Sequence, residues 1–142
     1  MGPMTTITAP LTTTTPATAA SRLRTVLGVN AATSLAAGVL GLAATGRIVD
    51  VLGLQSAGWT RLVSAGLVLF AIDVALGARS SRWLATTALL TSVADLAWVA
   101  ATVVVLATVD LTGLGQVVAV GMGVAVADFA LLQLWFRRRL AR

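Results

Sequence analysis

Three carboxylates stand where carboxylates are costly: Asp73, Asp95 and Asp128 each lie inside a long run of Ala, Val, Leu and Gly. An Asp at the centre of a membrane-spanning helix costs about 2.5–3.5 kcal/mol on insertion scales, so it is expected to face other protein and to have a use. Asp73 precedes Arg79 by six residues, Asp128 precedes Arg137 by nine, and Asp95 follows Trp83 by twelve. At the helical rise these spacings give depths of about 9, 14 and 18 Å from the Arg-bearing end. Asn30 lies about 9 Å beyond Arg24 by the same count, level with Asp73. The expectation is a buried cluster of Asn30, Asp73, Asp95 and Asp128. With no Arg deep enough to pair with Asp95, that acid either carries a proton or is balanced by a cation. Such a cluster suits proton- or cation-coupled passage or capture of an amine. The plainer reading is acids that hydrogen-bond across helices and fix their packing.

The rest of the composition narrows the chemistry. The 142 residues include no Cys, His, Tyr, Lys or Glu. Thiolate chemistry, Cys-ligated zinc, His-based proton transfer and lysine Schiff bases are thereby excluded. No cofactor and no metal site is expected. The motifs DDxxD, DGxxAR and the YD…GxGD pair are missing, and Gly121-Met122-Gly123 is followed by Val rather than completing the last of these. The chain is therefore not expected to be an enzyme.

These residues must be carried by membrane helices. The chain is 58% hydrophobic and 11% charged, against about half and about a quarter in soluble domains. Its main solvent is lipid. Residues 25–45 form a run of 21 uncharged residues, enough at helical rise to cross about 30 Å of hydrocarbon. Further spans are expected over about 61–78, 84–108 and 113–136. The fold class is all-α, a four-helix transmembrane bundle running up-down-up-down. A cleaved signal peptide would also open on Arg22 and Arg24 and close on small residues such as Ala43-Ala44, but the length favours a retained span. Residues 46–59 are expected to be a polar connection, Arg79–Arg82 a tight turn, and Asp110 or Thr112 a cap for the last helix. Residues 1–20, with eight Thr and with Pro at 3, 10 and 16, are expected to be a disordered tail.

The ten Arg against five Asp give a net charge of +5. Arg22, Arg24, Arg79, Arg82, Arg137, Arg138, Arg139 and Arg142 fall on one side of the spans; only Arg47 and Arg61 fall on the other. This asymmetry places both termini in the cytoplasm by the positive-inside rule, with lipid headgroups rather than nucleic acid as the partner of the positive charge.

Association in lipid rests on small residues that let backbones approach. Gly28, Ala32 and Ala36, with Ala37 and Gly41 beside them, form such a line in the first span, and Ala119, Gly123 and Ala127 form one in the fourth. Gly66, Asp73 and Arg82 also share their spacing with Gly121, Asp128 and Arg137, the pattern of a parallel repeat. The segments Asp95-Leu96-Ala97-Trp98-Val99 and Ala127-Asp128-Phe129-Ala130-Leu131-Leu132-Gln133 resemble pieces of small four-helix bacterial integral membrane proteins of uncharacterised activity. The resemblance covers the last three spans and implies a class without a site. The chain departs from the four-helix multidrug exporters, whose first helix carries a Glu. Arg without Lys, and abundant Ala, Val and Gly, fit a GC-rich bacterial genome. The expected role is a non-enzymatic protein of the bacterial inner membrane, self-associating or a small subunit of a larger assembly. The rival is a small transporter or channel built on the acids.

Overall fold

A computed structural model describes residues 16–140, and among these every regular element is helical: α1 (Pro16–Ala43), α2 (Thr45–Leu52), α3 (Ala57–Arg79), α4 (Leu84–Thr108) and α5 (Gly113–Leu140). Four of them, α1, α3, α4 and α5, are long and apolar enough to cross a membrane. The chain is an all-α four-helix bundle of a multi-pass membrane protein. The short α2 is an addition to the expected plan.

Two boundaries differ from expectation. Helix α1 starts at Pro16, so residues 16–20, read from sequence as tail, form its first turns. Proline is tolerated at a helix start, where its missing N–H has no intrahelical partner to lose, and Ala19 three residues on is fully buried. The rest of the expected tail, residues 1–15, lies outside the described residues. The expected polar connection contains α2, which half-buries Ile48, Val49 and Leu52 and exposes Arg47 and Asp50. The spacing i, i+1, i+4 puts the three apolar side chains on one face of a helix.

The bundle has two dissimilar halves. At the Arg-rich end the interior is an apolar core of Leu23, Leu27 and Ala31 from α1, Val74 and Ala78 from α3, Leu84 and Ala88 from α4, and Phe136 from α5. Two of the charge-asymmetry arginines also hold this end together. Arg24 donates to the Ala78 carbonyl at 3.3 Å and to Ser81 Oγ at 2.9 Å, and Arg137 donates to the Ala85 carbonyl at 3.1 Å. A guanidinium near a helix C-terminus meets carbonyls that the helix itself leaves unpaired, which is the position of Ala78. Trp83 and Trp135 sit at the same end, exposed, beneath Arg82 and Arg139 at 5.3 and 4.2 Å from the ring centres, as interfacial anchors do.

The opposite end is closed by α2. Gly53 ends it with φ at +75°, a conformation that Cβ disfavours. The last carbonyl of α2, on Leu52, accepts from Thr112 N–H at 3.1 Å, and Thr112 Oγ1 donates to the Val51 carbonyl at 2.8 Å. Thr112 Oγ1 also accepts from Gly115 N–H at 3.0 Å, so Thr112 is the cap that the sequence offered there.

Glycine fixes the helix contacts, though not along every expected line. Gly38 approaches the Ser64 carbonyl so closely that an added Cβ would lie 2.7 Å from it, and Gly41 meets the Ser64 side chain. These contacts seat α1 on α3. Gly123 is buried against Thr102 of α4, as the line through Ala119 and Ala127 predicts. The line Gly28, Ala32 and Ala36 instead points outward, with all three residues exposed and nothing within 4 Å of a Cβ at Gly28.

Candidate functional site

Above the apolar core three of the long helices, α1, α4 and α5, meet in a polar network. Asp95 of α4 is its centre, 4% exposed, with Asn30 of α1 at 2% and Gln133 of α5 at 0%. Asn30 Nδ2 donates to Asp95 Oδ2 at 2.8 Å, and Gln133 Nε2 donates to the same oxygen at 3.1 Å. Ser92, one turn before Asp95, donates to Gln133 Oε1 at 3.1 Å and to the Ala88 carbonyl at 2.7 Å. Ser34 Oγ donates to Asn30 Oδ1 at 3.4 Å. Amide side chains suit this position because each offers donors to the carboxylate and still has an oxygen for a hydroxyl. Thr91, Ser92 and Asp95 form a buried polar face on α4.

The network binds one carboxylate oxygen twice and leaves the other alone. Both donors go to Oδ2. Among the described residues no fully enclosed side-chain nitrogen or oxygen lacks a partner, so Oδ1 must open onto free space. That space is a cavity of about 470 Å³ enclosed by all four long helices, lined by Asp95, Asn30 and Ser34 on its polar side and by Phe70, Trp98 and Phe129 among its apolar walls. It is not sealed. Gly66 of α3 and Ala94 of α4 line it and are exposed.

The expected four-residue cluster does not form. Asn30 and Asp95 meet, but Asp73 and Asp128 are exposed on the outside of the bundle, and neither joins the network. Asp73 lies in an outer groove between α3 and α4, against Leu76, Trp83 and Leu90. The depth counts placed the acids at related heights and were silent on their azimuth. In a membrane an outward face is as apolar as an inward one, so neighbours on one helix do not tell which way a residue points. Gln133 is the residue the sequence reading passed over. Its signal was present: an uncharged polar side chain inside a span, on the face opposite an intramembrane acid. It stands only four residues before Arg137, near the expected end of the span at 136. In fact α5 continues to Leu140, which carries Gln133 well inside.

Comparison with family models, with curated proteins and with solved structures finds no match. The reading of function therefore rests on this geometry.

Proposed function

We propose that the chain is a non-enzymatic multi-pass protein of the bacterial inner membrane that associates with further copies of itself, its Arg-rich end in the cytoplasm. One observation carries the self-association. Leu62, Gly66, Leu69, Asp73 and Leu76 of α3 are all exposed, and so are Val117, Gly121, Val124, Asp128 and Leu131 of α5. Each set repeats at spacings of four and three, the seam of a helix made to pack on another helix, and each places its Gly and its Asp at the same register. In a single copy both acids face lipid, at about 2.5–3.5 kcal/mol each for a central position. A second copy can cover an Asp with hydrogen-bond partners while the Gly lets the backbones approach. The bacterial membrane is supported by composition, and the orientation by the Arg asymmetry. Coupled passage along a chain of three acids lacks comparable support, since the three carboxylates do not converge.

The test is the oligomeric state in lipid discs and mild detergent, by single-molecule photobleaching and native mass spectrometry. A Cβ added at Gly121 meets nothing within 4 Å and the residue is exposed, so Gly121→Leu should leave the fold of one copy intact and block the seam. The wild type should be oligomeric and Gly121→Leu monomeric. A wild type that is monomeric at every protein-to-lipid ratio sinks self-association and shifts the seams to a different membrane subunit.

A further inference from the structure

We infer that the cavity above Asp95 is a binding site for a lipophilic organic monocation, held by Asp95 Oδ1 and by the aromatic walls. The carboxylate is nine-tenths buried, and one oxygen is fully committed to Asn30 and Gln133 while the other opens onto the cavity. The arginines that precede Asn30 and follow Gln133 most closely in the chain are spent elsewhere, Arg24 on the end of α3 and the turn after it and Arg137 on the start of α4. An anionic oxygen in a medium of low dielectric and without a counter-charge strongly favours a cation brought in from outside.

The lining decides which kind of cation. A bare inorganic ion needs about six oxygen ligands, and here it would find one free carboxylate oxygen. The Thr33 and Ser34 hydroxyls, which donate to the Val29 and Asn30 carbonyls and to Asn30 Oδ1, could add two oxygens, still only half of such a set. The remaining walls include Phe70, Trp98, Phe129 and Met122. Aromatic faces attract a diffuse positive charge, by about 2 kcal/mol or more where water is excluded, and apolar walls reward an organic substituent. The volume of about 470 Å³ lies in the range of small-molecule sites, about 300–1,000 Å³. Entry is between α3 and α4 at Gly66 and Ala94, from within the membrane. The lining belongs to one copy, but Gly66 at the entry also stands in the proposed α3 seam, so binding is measured on Gly121→Leu as well as on the wild type.

Tetraphenylphosphonium and tetraphenylborate share one shape and carry opposite charges, which makes them the deciding probes. Binding to the full-length protein in phosphatidylcholine discs is measured by equilibrium dialysis, with empty discs subtracted. The phosphonium should bind saturably at one per chain and the borate at least ten-fold more weakly. Asp95→Asn, which keeps an acceptor for Asn30 and Gln133, should weaken the phosphonium at least ten-fold. Ala125→Phe, a substitution on the cavity wall remote from the carboxylate, should abolish its binding, and this second variant decides the matter if Asp95→Asn does not fold. Equal binding of the two probes, uptake no greater than by empty discs, or unchanged affinity in a folded variant would overturn the assignment.

Discussion

Gln133→Met isolates the worth of the network. Methionine nearly matches glutamine in volume, so the variant removes hydrogen bonds without opening a large hole, and volume-conserving changes cost little by themselves. Two bonds are lost, Gln133 Nε2 to Asp95 Oδ2 and Ser92 Oγ to Gln133 Oε1, both 3.1 Å long. Between membrane helices a hydrogen bond averages about 0.6 kcal/mol and reaches about 1.7, while bonds to an ionised group run to about 1.5–3 kcal/mol. No group is orphaned, because Asp95 Oδ2 keeps Asn30 at 2.8 Å and Ser92 keeps the Ala88 carbonyl at 2.7 Å. The expected loss is therefore about 1–3 kcal/mol. Reversible unfolding in mixed micelles with rising dodecyl sulfate, followed by tryptophan fluorescence, measures it. A double-mutant cycle with Ser92→Ala should show coupling of about 0.5 kcal/mol or more, since the two side chains share a bond. A loss under about 0.5 kcal/mol with zero coupling would refute the view that this network orders the middle of the bundle.

Three further outcomes follow from the closed end and the helix contacts. A Cβ at Gly115 would run into the Leu52 carbonyl, which is backbone and cannot swing away; Gly115→Ala should cost about 1–3 kcal/mol in the same unfolding assay. Gly28→Ala meets nothing and should be neutral or stabilise by up to about 1 kcal/mol, through helix propensity alone. Thr112→Val loses both the cap on Gly115 N–H and the bond to the Val51 carbonyl. It should cost about 1–2 kcal/mol, and amide exchange should quicken selectively over 45–52 and 113–116.

The spans were legible because length and lack of charge suffice: the third was placed at 84–108 and is found there. Helix α2 was not, because Arg47 and Asp50 made residues 46–59 look polar, although Ile48, Val49 and Leu52 already carried a helical period. Half of the site was legible. Asn30 and Asp95 stand out as costly groups in apolar runs, and depth counting set them in the interior. Which acids turn inward was not legible. Leu69 and Leu76 flank Asp73 on the same exposed stripe, and in lipid such a stripe is as ordinary on the outside of a bundle as on the inside.

The division of the bundle into a packed half and a hollow half has a physical origin in where its helices are allowed to meet. At the Arg-rich end Gly77 lets α3 press against Thr87 of α4, just before the turn that joins them, and the core from Leu23 to Phe136 fills the space between. Farther along, α3 is drawn towards α1 by Gly38 and Gly41, away from α4, which there offers larger residues such as Trp98. The seam between α3 and α4 consequently opens, and Gly66 and Ala94 are exposed along it. The network around Asp95 stands where the close packing ends. Its amides, from α1 and α5, hold one oxygen of the α4 carboxylate, and the parting of α3 from α4 leaves the other without a protein partner. An apolar residue at position 95 would strip the buried Asn30 and Gln133 amides of their shared acceptor, whereas an asparagine would keep one for both. What only the Asp does is leave a second carboxyl oxygen facing the cavity.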